Sequence, residues 1–218
     1  MNTRLFQATC LVLTIMLICP SLTFAQELQT VQLLEPQTDG GRPLMQVLKD
    51  RSSSREFSNE KLPMQVLSDM LWAAFGVNRP ESGKRTAPSA NNRQEMDIYV
   101  ATADGLYLYD AKAHMLMPVL PEDIRAKTGT QQFVQEAPVN LIYVSDFSKM
   151  GNAEENKKFF NSAANTGFIS QNVYLYCASE GLATVVRGLI DKPDLEKTMK
   201  LRPDQKVILA QSIGYPKK

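Results

Sequence analysis

The sequence predicts an α+β domain built on a central, mainly antiparallel sheet flanked by helices. Three observations carry that expectation. Segments with helical spacing and segments with strand alternation are interleaved, and no regular βαβ series is visible. A tight-turn signal, Asp104-Gly105, sits between two strand-like runs, DIYVAT and LYLYD. The chain has 218 residues, enough for one domain with a substantial core.

Residues 1–25 read as a secretory signal peptide ahead of that domain. Arg4 supplies a positive start, CLVLTIMLICP (Cys10–Pro20) is an uncharged apolar run, and Thr23-Phe24-Ala25 offers small residues before a cut at Gln26. The run is shorter than the ~20 residues a spanning helix needs, so no stable membrane insertion is expected after cleavage. Ile18 and Pro20 flank Cys19 where a lipid-attachment signal calls for small residues. The mature chain is therefore expected to be periplasmic or secreted. It keeps Cys177 as its single thiol, so its fold must hold without an internal disulfide.

Residues 26–42 form a polar arm, and residues 43–218 the domain proper. Pro43 opens a short helix with Leu44, Val47 and Leu48 on one face, ended by the polar cluster Arg51–Arg55. Pro63 opens a second helix, with Val66, Leu67, Met70, Leu71 and Ala74 at i, i+3, i+4 spacing and Gly76 as its cap. Residues 78–94 read as a long loop, of a length more often functional than idle. The hairpin follows, then a strand over 115–120, a helix from Pro121 to Lys127, and a buried strand over 139–145. Residues 153–183 read as mostly helical with a break near Gly167. Asp191 and Pro193 start a last helix, and 207–213 is a final strand.

Twenty-four basic and 23 acidic residues leave a net charge of +1, too little to gather nucleic acid, so the expected partner is a small molecule. The chain's only histidine, His114, lies far in sequence from Cys177, and no multi-ligand metal pattern or Cys–His pair is present. Cys177 reads as a buried small hydrophobe in an apolar helix. Tyr99, Tyr107 and Tyr109 read as packing residues of the hairpin.

Three clusters have the chemistry of a binding site. RSSSR (Arg51–Arg55) puts two guanidinium groups and three hydroxyls in five residues, suited to a phosphate. APSANNRQ (Ala87–Gln94) supplies short donors and acceptors suited to the edge of a planar heterocycle. GLATVVRG (Gly181–Gly188), read as the end of the long helix, has small residues that let backbone amides approach a flat ring. Neither a Walker loop nor GxGxxG occurs.

With RSSSREF, LSDMLWAAFGVN, RTAPSANNRQ, GLYLYDAKAHMLMPV, NTGFISQNVYLYCASEGLATVVRG and the final IGYP in this order, the sequence resembles the nitroreductase superfamily from about Pro43 to Tyr215. It is most similar to the thiazoline/oxazoline-oxidase-like (SagB-type) dehydrogenase branch. The resemblance implies an FMN-dependent oxidoreductase, a homodimer with two FMN sites, and ping-pong transfer between a small-molecule electron donor and acceptor. Arg51, Ser52 and Ser53 would meet the FMN phosphate and ribityl chain, and Arg55 the N1–C2 edge of the ring. Pro88, Ser89, Ala90 and Asn92 would close over the FMN from the second subunit. The backbone of Val185, Val186, Arg187 and Gly188 would face flavin N5. Many relatives carry an acidic residue at the position of Arg187 and a basic, phosphate-touching residue beyond the final GYP, where this chain has Lys217 and Lys218. Hydride transfer through flavin needs no side-chain nucleophile or base. Export sits awkwardly with an NAD(P)H donor, which leaves open an azoline-oxidase-like dehydrogenase acting on a peptide, or a non-catalytic flavin- or ligand-binding member of the same fold.

Overall fold

The structure, a computed structural model, describes residues 27–217. The proposed leader, Cys19 and Lys218 lie outside the described residues. A seven-stranded sheet runs in the order β1-β6-β5-β4-β7-β9-β8. Its strands are β1 (Val31–Gln32), β4 (Met96–Thr102), β5 (Gly105–Asp110), β6 (Met115–Leu120), β7 (Val139–Asp146), β8 (Ala183–Arg187) and β9 (Gln205–Gly214). Every pairing in it is antiparallel.

Side-chain alternation divides the core between the two faces of the sheet. Ile98, Val100, Leu141 and Tyr143 meet α2 (Met64–Phe75) and α3 (Glu155–Glu180) through Met70, Leu71, Phe75, Ile169, Val173 and Cys177. Tyr99, Ala101, Ile142 and Val144 meet Leu195 of α4 (Lys192–Thr198) and Met199 on the other face. A strand covered on both faces reads as a continuous apolar run, which is why VNLIYVS looked uniformly buried. Tyr99, Tyr107 and Tyr109 are all core residues. Cys177 is fully buried, and burial pushes its thiol pKa up, away from nucleophilic chemistry.

Several local expectations are corrected. The segment after α2 is not structureless: β2 (Val77–Arg79) and β3 (Lys84–Arg85) pair in a small hairpin. Pro121–Lys127 is not a helix; only Arg125–Thr128 makes a 3-10 turn. The long helix α3 runs unbroken through Gly167, because an exposed glycine costs it only about 1 kcal/mol. GLATVVRG is not a helix end but strand β8, its helix stopping at Gly181 with φ +70°. Gly76 caps α2 without left-handed geometry; glycine is needed because a Cβ there would meet the Trp72 side chain at 2.5 Å. In α1 (Leu44–Asp50) only Val47 is buried, so Leu44 and Leu48 do not serve this chain's own core.

The N-terminal arm is bound to the domain, not free. It adds β1 to the sheet edge, and the Leu34 carbonyl accepts bonds from Ser68 Oγ and from His114 Nε2 at 3.0 Å. Tyr109 OH donates to His114 Nδ1 at 3.0 Å, which fixes the neutral tautomer. Burial lowers the His114 pKa, against the opposing pull of the Leu34 bond and Asp69. A histidine held neutral in the fold takes up its proton more readily when unfolded, so stability falls as pH drops through its ordinary value of 6.5. Thermal midpoints measured between pH 7.5 and 5.5 should decline in the native protein. The decline should flatten in His114→Gln.

Candidate functional site

Two of the three clusters meet on the free edge of β8, the last strand of the sheet. Arg51 is the C-terminal cap of α1, its N–H donating to Val47 O at 2.8 Å, and the chain then runs extended past β8. The Ser54 N–H donates to Thr184 O at 3.0 Å. Two residues along that edge, the Val186 N–H donates to Tyr174 OH at 2.9 Å, and Tyr174 OH lies 2.8 Å from Ser53 Oγ. The Arg51 guanidinium stands over the Tyr174 ring, 5.3 Å from its centroid. Arg51, Ser53, Tyr174 and the backbone of β8 thus form one wall, while Ser52 and Arg55 are exposed beside it.

The C-terminal tail closes the same region. Phe57 bridges to Pro216, the Ser58 N–H donates to Tyr215 O at 2.9 Å, and the Lys217 N–H reaches Glu56 O at 3.4 Å. Lys217 therefore lies one residue from Arg55 along the paired strand. It also lines a groove of about 1310 Å³ together with Phe57, Tyr215 and Pro216, which none of Arg51 to Arg55 lines. The donor set that suits a phosphate thus lies outside that groove.

The loop holding Pro88, Ser89, Ala90 and Asn92 is elsewhere in the same chain. It enters β4 at Met96, while Val186 lies level with Val100 through Gln211 and Leu141. The point where the loop joins β4 is thus about 14 Å along the strands and about 14 Å, three strand spacings, across from Val186. The loop is internally braced. Ser89 Oγ accepts from Gln94 N–H at 3.0 Å, and Gln94 Oε1 accepts from Arg85 Nε at 2.9 Å. Asn91, Asn92 and Gln94 all have positive φ, an arrangement found where structure around a site over-determines the backbone. The adjoining Glu95 is fully buried, with one carboxylate oxygen on Asn165 Nδ2 at 2.5 Å.

Arg187 does not offer its side chain to the free edge. The strand turns Arg187 and Val185 inward, and Arg187 is 5% exposed, bonded to Thr128, Asn140 and Ser212. Its backbone alone could face a ligand beside β8. Gly188, the next residue, is exposed. Tyr174 is the site residue that sequence reading missed. It sits in an aromatic helical run with ordinary core spacing, and its link to Val186 spans 12 positions between two different elements.

The sequence profile of the Nitroreductase family matches residues 48–215. The chain belongs to the nitroreductase family. It is 30% identical over 169 residues to a nitroreductase homologue of Methanocaldococcus jannaschii, covering 73% of this chain and 85% of that one. Among solved structures it is similar to a nitroreductase homologue of Ralstonia eutropha at 42% identity, with a TM-score of 0.83, over 87% of this chain and 90% of that chain. A nitroreductase homologue of Desulfovibrio desulfuricans, solved in complex with FMN, shares the fold at 21% identity and a TM-score of 0.60, over 82% and 89% of the two chains. The nitroreductase fold is what puts the three clusters on an open sheet edge and a separate loop.

Proposed function

We propose that this protein is an exported FMN-dependent oxidoreductase that works as a homodimer. The observation carrying this reading is the convergence of Arg51, Ser53 and Tyr174 on the free edge of β8. The donor set fits FMN: a guanidinium and hydroxyls suit its phosphate and ribityl chain, and a strand edge with small neighbours suits a flat ring. FMN, when bound, supplies the two-electron chemistry, receiving hydride from one substrate and reducing a second in turn.

The chain's own residues bind, orient and exclude water. Arg51, Ser52 and Ser53 hold the phosphate end, with Lys217 and Lys218 as further cations at the tail. Arg55 holds negative charge at the N1–C2 edge, and the Val185–Gly188 backbone sets the position of N5. Pro88, Ser89, Ala90 and Asn92, whose loop joins β4 three strands away from β8, cover the partner's site. A stripe on α3 supports that pairing: Phe160, Ala163, Ala164, Gly167 and Phe168 are exposed in the single chain at i, i+3, i+4, i+7, i+8. Leu44, Met45 and Leu48 of α1 add further exposed apolar surface.

Mass spectrometry of the exported protein tests this reading. It should show a chain beginning at Gln26 and release one FMN per chain on heating. A colourless protein, or one retaining its leader in membranes, would overturn it. The motif order that resembles the SagB-type branch favours a second reading, an azoline-oxidase-like dehydrogenase acting on a peptide. Anaerobic mixing with NADH or NADPH separates the two, since bleaching of the flavin identifies a reductase.

A further inference from the structure

The guanidinium of Arg187 is buried without a countercharge. Its four hydrogen bonds go to neutral acceptors: Thr128 O, Thr128 Oγ1 at 2.9 Å, Asn140 Oδ1 at 2.6 Å and Ser212 Oγ at 3.0 Å. Among the described residues, no carboxylate lies within ion-pair distance of it. The pocket is built for this group. A Cβ at Gly129 would overlap the guanidinium, and Asn140 is itself held by Nδ2 donating to Val134 O at 2.8 Å. Burial pushes the Arg187 pKa down to about 10, so the group is still a cation at neutral pH.

A buried cation is costly, and neutral dipoles reduce that cost without cancelling the net charge. Its field therefore reaches whatever lies across β8. We propose that Arg187 is the internal countercharge for reduced flavin, acting through the strand and not by contact. The inference rests on the reading that the β8 backbone faces the ring. Oxidised flavin is a neutral ring, whereas the reduced ring carries a net negative charge, so a cation behind the N5 side favours the reduced form, as Arg55 does at the N1–C2 edge. Arg187 is thus a positioning residue of the electrostatic kind. A clamp that merely stitched the 128–137 segment to the sheet would leave the redox balance untouched.

Asn140→Asp separates the two roles. It keeps an acceptor oxygen for Arg187 and Ser212 and places a carboxylate against the guanidinium, at the loss of the Nδ2 bond to Val134 O. Arg187→Gln removes the charge and most of the bonds. For each protein loaded with FMN, the affinities for oxidised and reduced FMN, the midpoint potential and the thermal midpoint are measured at one pH. In Asn140→Asp, oxidised FMN should bind within about twofold of the native protein. Its preference for reduced over oxidised FMN should fall about tenfold, a potential lower by ~30 mV. Arg187→Gln should shift the potential the same way. If it fails to fold, Asn140→Asp decides alone. Unchanged potential in an Asn140→Asp protein that holds FMN would leave Arg187 a structural clamp. A native protein that binds no FMN would instead overturn the proposed function itself, a distinct result.

Discussion

Arg51→Ala is expected to weaken FMN retention by about ten- to hundredfold, whereas Arg55→Ala should leave retention nearly intact and lower the flavin's potential. The two residues are four positions apart in one motif, but the structure gives them different surroundings. Arg51 is half-buried at the end of α1, over Tyr174 and beside Ser53. Held there, it can present a fixed guanidinium to a phosphate, and each charge-assisted bond contributes ~1.5–3 kcal/mol. Arg55 projects from the extended strand next to Glu56 and the tail. If Arg55 lies at the N1–C2 edge, as proposed, its charge should matter little to a neutral ring and more to a reduced one. A tenfold loss of that selectivity lowers a two-electron potential by ~30 mV. The check is titration of both variants with FMN, followed by potentiometry at one pH. If both weaken affinity equally and neither moves the potential, the motif is a simple anion cradle and the ring lies elsewhere.

Phe168→Asp should convert the protein to a monomer that does not retain FMN. Phe160 and Phe168 are 74% and 48% exposed in the single chain, separated by the small residues Ala163, Ala164 and Gly167 that allow close helix approach. Shared-site dimers of this kind usually bury more than ~2,000 Å². Placing a carboxylate at a central aromatic position costs at least ~2 kcal/mol of association, roughly thirtyfold or more. FMN should be lost with the dimer if, as proposed, Pro88 to Asn92 cover the partner's site. Light scattering with absorbance detection measures mass and flavin together. A monomeric variant that stays yellow would mean that one chain builds the whole site.

The sequence by itself determined the α+β class, the β4–β5 hairpin, and strands β6, β7 and β9; the hairpin's two turn residues are Ala103-Asp104, one position before the expected Asp104-Gly105. Each of these is written locally, in turn chemistry and in short apolar runs rich in β-branched and aromatic residues. The phosphate-suited cluster was equally legible, since five adjacent residues with two guanidinium groups need no fold to be noticed. Strand β8 was not, because ATVVR follows a helix directly and its strand character comes from pairing with β9, far along the chain. Nor was Tyr174, whose hydroxyl acquires its role only when Ser53 and Val186 arrive from other elements. The sequence showed Arg187 as a basic residue in a motif. Only the tertiary structure decided that its side chain turns inward and lies among neutral acceptors. The physical reason is common to all three. Local patterns fix what a segment can become, but the face a side chain presents, and the charge it meets there, depend on which distant strand pairs alongside.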